Sequence, residues 1–274
     1  MADAHFSDWL GREQLCSDLV TAGPLARLAA TLDHDGLPWP DGELPPLGHW
    51  LFHLPDGRQS TLGEDGHPER GGFLPPATQP RRMWVGGRVS FNAPIRVGQA
   101  IKRRSRIASV EQKPGKSGEM LFVTVHHSIL ADDVAAVEED QLLAFIPHAP
   151  PADGDTRPLV HPEPDSCRAL VADPLMLFRF SALTFNAHRI HYDLPYARAV
   201  EGYPELVVHG PLQAMLIVDH LLRDLPDARI SSFAFRARAP LFAGAGFDVC
   251  RSGEEAWVRS HAGVTSMTAT VTFA

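Results

Sequence analysis

Cysteine is scarce in this sequence. Three cysteines, Cys16, Cys167 and Cys250, are spread over 274 positions, and no two of them form a CxxC pair. Such spacing predicts neither a disulfide framework nor a zinc finger, and it is typical of proteins from a reducing compartment.

Excess positive charge and long apolar runs are also missing. The 25 Lys and Arg residues are outnumbered by 33 Asp and Glu residues, so the formal net charge is −8. This balance argues against binding to a nucleic-acid backbone. The longest apolar stretch, LQAMLIVDHLL, is too short to span a bilayer and is broken by Asp219 and His220. The opening residues MADAHFSDWLGRE lack the basic start and apolar core of a signal peptide. We therefore expect a cytoplasmic protein with neither nucleic acid nor membrane as a partner.

What is present suits a folded globular protein. Hydrophobic residues make up 44% and charged residues 21% of the chain, which is enough apolar material for a sizeable core. The length allows one large domain or two of ordinary size. Proline, glycine and acidic residues mark 151–167 as a linker between a unit at 1–150 and a unit at 168–274.

Each unit shows helical and strand-like patterns. In the first, residues 1–35 have a helical apolar pattern, 36–80 are irregular and rich in Pro and Gly, and 87–147 contain four strand-like segments. In the second, LVVHGPLQAMLIVDHLLR at 206–223 predicts an amphipathic helix, with Pro211 suited to its first turn. Four strand candidates follow it: ARISSFAFRARAP, GFDVCRS, EAWVRSH and GVTSMTATVTFA. Periodicity thus predicts an α+β protein of two subdomains.

The stretch FSALTFNAHRIHYDLPYA, at 180–197, carries the densest group of polar side chains. His188 and His191 could share one side of a turn, and Asp193 is the only third ligand nearby. No HExxH or cysteine-containing zinc pattern accompanies them, so no metal site is expected.

The same stretch, taken as a strand followed by a polar loop and then a helix that opens with His-Gly, resembles the MaoC-like, or type 2, enoyl-CoA hydratases. Their motif runs Asp-x-Asn-Pro-x-His with a further Asp close behind. Here the motif histidine falls on His191 and the trailing aspartate on Asp193, whereas Asn186, His188 and Arg189 stand in place of the motif Asp, Asn and Pro. Four stretches, DGHPERGGFLPP, PRRMWVGGRVSF, FRFSALTFNAHRIHYD and EGYPELVVHGPLQAMLI, resemble one branch of this superfamily. That branch contains the 3-hydroxyacyl-thioester dehydratases of mitochondrial type and the itaconyl-CoA and mesaconyl-C4-CoA hydratases.

The resemblance implies a double hot-dog fold, in which two antiparallel sheets each wrap around a helix. It places catalysis in 168–274 and leaves 1–150 as a non-catalytic unit that shapes the acyl pocket. The implied activity is hydration of a short branched dicarboxylic enoyl-CoA to citramalyl-CoA by a homodimer. No cofactor is implied beyond the coenzyme A that the substrate itself carries.

The resemblance also implies roles for five residues. His191 would activate the water, and Asn186, whose amide cannot take up a proton, would orient it. The Gly210 N–H at the start of the predicted helix would hold the thioester oxygen. His188 would contact substrate. Arg189 is either an exposed loop charge or the partner of a substrate carboxylate, a role that suits its planar fork.

Two other functions stay open. The same residues could dehydrate 3-hydroxyacyl groups on a carrier protein or on coenzyme A, because that reaction is the reverse one. A protein that binds acyl-thioesters without converting them is the second possibility, and Asn186 is its only support. Two groups of basic residues compete for the phosphates of coenzyme A: Lys102, Arg104 and Arg106, or Arg81, Arg82 and Arg88.

Overall fold

The computed structural model describes residues 6–115, 118–147 and 159–274. Across these ranges the α-helices are α1 (Ala22–Thr31), α2 (Pro174–Thr184), α3 (Leu194–Ala199) and α4 (Gly210–Asp224). The strands are β1 (Glu13–Leu19), β2 (Arg81–Phe91), β3 (Ala100–Gly115), β4 (Gly118–Ala131), β5 (Val134–Ile146), β6 (Ser166–Val171), β7 (Ile230–Ala237), β8 (Gly246–Ser252), β9 (Glu255–Ser260) and β10 (Thr265–Phe273).

All ten strands belong to one antiparallel sheet in the order β1-β3-β4-β5-β2-β7-β10-β9-β8-β6. Read from its outer edge, each half of the sheet has the same connectivity: 1-3-4-5-2 in the first and 6-8-9-10-7 in the second. The halves join where β2 pairs with β7, from Gly86 opposite Arg236 to Ser90 opposite Ser232. The two similar halves predicted from the sequence therefore form a continuous sheet.

Helix α4 lies at the centre of the second half. Its residues from Leu212 to Leu221 are buried, and it packs on β8, β9 and β10. Pro211 lies in its first turn, as predicted, and the helix begins at Gly210, four residues later than the predicted start at 206. None of the helices in the described ranges has both the length and the apolar content to cross a membrane.

Two predicted elements were wrong. Residues 13–19 form the edge strand β1 and do not continue a helix. The wrong prediction arose because Leu15 and Leu19, which are solvent-exposed, are four residues apart, as on one face of a helix. The segment before the polar loop, expected to be a strand, is helix α2. Asp173 caps this helix by accepting a hydrogen bond from the Met176 N–H at 2.8 Å, and Pro174 occupies the first turn.

The cysteine spacing did not predict the one disulfide of the described residues. Cys167 on β6 lies directly opposite Cys250 on β8, and the two are disulfide-bonded. The partners are 83 residues apart, so local spacing gave no sign of the pairing. Cys16 is free. Much of the predicted linker at 151–167 lies outside the described residues, and its last two positions begin β6.

Candidate active site

The polar loop at 185–193 connects α2 to α3 and is anchored by its own backbone. The Asn186 N–H donates to the Ser181 carbonyl at 2.8 Å, and the Asn186 side-chain Oδ1 accepts from the His188 N–H at 3.0 Å. Arg189–His191 form a single 3₁₀ turn. Asp193 then caps α3 by accepting from the Tyr196 N–H at 3.1 Å. These bonds tie the loop to the end of α2 and to the start of α3.

His191 is a buried histidine whose Nε2 bonds to no described residue. The residue is only 7% exposed, and its Nδ1 donates to the Val207 carbonyl at 2.7 Å. That bond fixes the proton on Nδ1 and leaves the Nε2 lone pair available. Burial lowers the pKa of His191 to about 4, although the bond to Val207 opposes this shift. The imidazole is therefore neutral at neutral pH and able to accept a proton.

His209 packs against the face of the His191 ring. The two rings stack with centroids 3.6 Å apart, and His209 Nε2 hydrogen-bonds to Ser181 Oγ at 2.8 Å. Burial holds the pKa of His209 well below its ordinary value, so this ring is also neutral. His209 immediately precedes α4, and its bond to Ser181 ties that helix to α2.

His188 brings the N-terminal half into the site. Its ring centroid is 5.4 Å from that of His191 and 4.3 Å from that of His67, which comes from the irregular 36–80 segment. His67 Nδ1 in turn lies 3.1 Å from the Asp65 Oδ2. Sequence reasoning did not find Asp65 or His67, although both stand in the family-like stretch DGHPERGGFLPP. We call Asp65, His67, His188 and His191 the histidine cluster.

The loop that carries Asp65 is docked directly on the polar loop. The Arg189 N–H donates to the Asp65 carbonyl at 3.0 Å, and Arg189 Nη1 donates to the Glu64 carbonyl at 3.1 Å. Gly66 adopts φ +90°, and a side chain there would overlap the Ala187 carbonyl. The N-terminal half, expected only to shape the acyl pocket, thus contributes two ionisable side chains to the cluster.

Arg189 serves as a brace in the structure. Its Nε and Nη2 donate to Asp193 Oδ2 at 3.0 and 2.8 Å, and its guanidinium carbon lies 4.1 Å from the centre of the Tyr196 ring. Because Asp193 and Tyr196 already engage the Arg189 guanidinium, the geometry favours a bracing role over binding of a substrate carboxylate.

The start of α4 presents backbone donors. Gly210 is the first helical residue, and no described residue accepts a hydrogen bond from its N–H. Pro211 has no N–H to offer, and the first N–H groups of a helix lack intrahelical acceptors. A side chain at Gly210 would meet Trp84 Cε3 at 3.4 Å, so the glycine lies against β2. The free N–H and the helix dipole together suit a developing oxyanion.

One set of side chains has metal-binding geometry. Asp65, His67 and His188 each offer a ligand atom, and these atoms lie within 4.8 Å of one another. This set differs from the one considered from the sequence, which combined His188 with His191 and Asp193. Because Asp65 and His67 hydrogen-bond to each other, the same side chains are also equipped for proton transfer.

Residues 47–243 match the family model for hydroxyacyl-thioester dehydratase type 2. The chain belongs to this family. It is 46% identical to the mesaconyl-C(4)-CoA hydratase of Chloroflexus aurantiacus over 244 residues, which cover 88% of this chain and 87% of that protein. The superfamily resemblance read from the polar loop and its companion stretches is thereby confirmed.

Solved structures confirm the fold. HtdX of Mycobacterium tuberculosis superposes with a TM-score of 0.68 at 18% identity, covering 95% of this chain and 99% of that one. A second Mycobacterium tuberculosis protein, described as having a double hotdog fold, gives a TM-score of 0.61 at 12% identity, with 96% of each chain covered. The family member described here has the double hot-dog fold that the resemblance implied.

Proposed function

We propose that the protein is a hydro-lyase that adds water to a short branched dicarboxylic enoyl-CoA. Mesaconyl-C4-CoA and itaconyl-CoA are the proposed substrates, and citramalyl-CoA is the proposed product. The observation that carries the proposal is the neutral His191, with a free Nε2, in a chain 46% identical to a protein named mesaconyl-C(4)-CoA hydratase.

The proposed chemistry uses the loop and the start of α4. His191 Nε2 takes a proton from the attacking water and then gives that proton to the α-carbon. Asn186 uses its Oδ1 to hold the His188 N–H, so its side-chain NH₂ is the part left to orient the water. As the water oxygen bonds to the β-carbon, charge develops on the thioester oxygen. The Gly210 N–H and the helix dipole stabilise that charge.

A different arginine from Arg189 is the proposed partner of the substrate carboxylate. The Arg82 guanidinium, on β2, makes no hydrogen bond or ion pair with any described residue. Burial lowers the pKa of His67 and of His188, and the Arg82 charge adds to both shifts. Burial lowers the pKa of Arg82 itself to about 10, so it remains charged. Neighbouring arginines are engaged: Arg70 by backbone carbonyls, Arg81 by Glu201 and Arg189 by Asp193. An unengaged cation beside the cluster favours a dicarboxylate over a plain fatty chain.

Dehydration of 3-hydroxyacyl thioesters is the second candidate, since the family model carries that description. A binding protein without turnover is the third, and it rests on Asn186 alone.

We further propose that the enzyme is a cytoplasmic homodimer of itaconate degradation and needs no cofactor. Light scattering would test the homodimer, and assay after dialysis against a chelator would test the absence of a metal.

The deciding experiment follows the absorbance of the enoyl-thioester band with mesaconyl-C4-CoA, itaconyl-CoA and crotonyl-CoA. We expect rapid loss of the band with the two dicarboxylates. Because a positioned base contributes about 10²–10⁴-fold, His191→Ala should lower kcat by that factor. Arg82→Leu should raise KM for the dicarboxylates and leave crotonyl-CoA unaffected. The exposed Arg229, which immediately precedes β7, provides the control, Arg229→Leu.

Each contrary outcome identifies a different function. Binding of all three thioesters without turnover would show a thioester-binding protein. Preference for crotonyl-CoA or for longer 3-hydroxyacyl chains, with no effect of Arg82→Leu, would show the dehydratase.

A further inference from the structure

Helix α2 is apolar on the side that faces solvent. Leu175, Phe178 and Phe185 are between 62% and 63% exposed, and Ala182, between the two phenylalanines, is exposed as well. These four residues follow one another at spacings of three, four and three, so they lie along one side of the helix and its C-cap. We call them the α2 stripe. A solvent-facing side of a helix is ordinarily polar, and a continuous apolar row marks a contact with a partner.

Phe185 is an unusual residue for its position. It caps the C-terminus of α2 at φ 49° and ψ 36°, in the left-handed region where Gly or Asn is ordinarily found. An exposed position also favours a polar side chain over a phenyl ring. Neither the backbone conformation nor the exposure of the single chain accounts for a phenylalanine here, whereas burial against a partner would.

The remainder of this sequence offers little that could cover the stripe. The residues outside the described ranges read MADAH, KS and HAPPADGDTRP. Met1 is the only one among them with a long apolar side chain. The occupant of the stripe is therefore expected to come from another molecule.

Charge favours a second copy of this chain as that molecule. Two copies with a formal net charge of −8 repel each other unless they meet where acidic side chains are few. Helix α2 meets this condition, because its one charged residue is Arg179. An acidic carrier protein or an anionic membrane would be attracted by a group of cations, and α2 offers only one.

The exposed area is of the size that a dimer needs at its centre. Since a phenylalanine buries roughly 150–250 Å², Phe178 and Phe185 together leave roughly 200–300 Å² accessible. Leu175, Ala182 and the adjacent Val171 at the end of β6 bring the patch to on the order of 400 Å². Because about 65% of a homodimer interface is apolar, two such patches correspond to a contact of about 1,200 Å², the lower end of the range for stable complexes.

A recess beside the stripe makes the surface complementary to itself. A cavity of about 300 Å³ lies between α1, β6 and α2. Its lining includes Leu170, Leu175, Met176, Leu216, Asp173 and Arg179. In a two-fold contact each patch meets its own copy, so a protruding side chain needs a hollow on the same face. Phe178 lies one turn from Leu175 and supplies the protruding side chain.

We propose that the α2 stripe is the two-fold contact surface of the homodimer, with Phe178 of each copy set against the recess beside α2 of its partner. This inference rests on the homodimer of the proposed function and is independent of the hydratase reaction. Helix α2 also carries Ser181, which bonds to His209, and leads into the polar loop. The contact therefore lies on the outer side of the helix that supports the candidate site.

Size-exclusion chromatography with light scattering, at several protein concentrations and without substrate, tests the surface in the full-length protein. We expect the wild type to have twice the 30.0 kDa mass of one chain. Phe178→Asp and Leu175→Asp should each raise the dissociation constant of the dimer by at least about 30-fold, because each places a carboxylate in an apolar contact. Both side chains are exposed in the single chain, so circular dichroism should show an unchanged fold.

Val134→Asp is the matched control. Val134 is another exposed apolar residue, 56% accessible at the start of β5 and outside the stripe. This variant should have the dissociation constant of the wild type.

Two outcomes would overturn the surface. A dimer that persists in both Phe178→Asp and Leu175→Asp would refute the α2 contact and leave the homodimer intact. A wild type that is monomeric at every concentration would refute both; its binding to phosphatidylglycerol vesicles, abolished by Phe178→Asp, would then identify a membrane as the occupant. Because no substrate is present, failure of the hydratase reaction would be seen only in the absorbance assay and would change neither result.

Discussion

At the scale of single residues, Gly66 sets how closely the Asp65 loop approaches the polar loop. Its φ of +90° is unfavourable for other residues, and a Cβ atom would overlap the Ala187 carbonyl. We expect Gly66→Ala to displace Asp65 and His67 from His188. The variant should lose at least tenfold in kcat and also lose thermal stability, as measured by steady-state assay and circular dichroism.

Gly71 supplies the control for this substitution. It has nearly the same backbone angle, φ +91°, but the nearest atom to an added Cβ would be Pro76 Cβ at 3.6 Å. Gly71→Ala therefore introduces the backbone strain without the clash. Equal losses in both variants would show that strain, and not the approach to Ala187, limits the site.

At the scale of elements, the first turn of α4 is the proposed oxyanion site. A methyl group at Gly210 would meet Trp84 at an ordinary contact distance of 3.4 Å, so Gly210→Ala should fold with nearly unchanged stability. The same methyl group would crowd the space in which a thioester oxygen approaches the N–H. Since loss of one oxyanion donor costs about 10²–10³ in kcat, we expect a decrease toward that range.

Gly36→Ala is the control, because nothing lies within 4 Å of a Cβ there. It should keep wild-type kcat. Full activity of Gly210→Ala would show that the oxyanion site is not at the start of α4.

The elements also show which features could be predicted from the sequence. Strand β8 matches the predicted GFDVCRS, and α4 ends within one residue of its predicted end. Strand β1 was missed because it is an edge strand whose leucines face solvent. The polar loop was found because its residues are contiguous. Asp65 and His67 were missed because only tertiary docking brings them to His188.

At the scale of the whole molecule, the site depends on both halves of the sheet. The second half supplies His191 and the start of α4, and the first supplies Asp65, His67 and the Trp84 ring against Gly210. The pairing of β2 with β7 holds these groups in register. The N-terminal half therefore contributes side chains to the candidate site.

The buried histidines should make the stability of the whole molecule depend on pH. Burial lowers the pKa of His127 and of His191 to about 4, and that of His188 to about 2. In the unfolded chain these groups return to about 6.5. Between those values the unfolded chain binds more protons than the folded one, so stability falls as pH falls from 6.5 toward 4. Each histidine contributes at most about 1.4 kcal/mol per pH unit to this slope.

Thermal unfolding followed by circular dichroism from pH 7.5 to 4.0 would measure the effect. We expect a melting temperature that declines steadily below pH 6.5, and a shallower decline in His127→Gln, which removes one buried imidazole on β4. His126→Gln, a substitution of the adjacent and more exposed histidine, should leave the decline as it is in the wild type. A melting temperature that stays constant from pH 6.5 to 4.5 would mean that the folded and unfolded chains bind equal numbers of protons. These histidines would then become protonated in the folded protein, and the histidine cluster would carry positive charge without substrate.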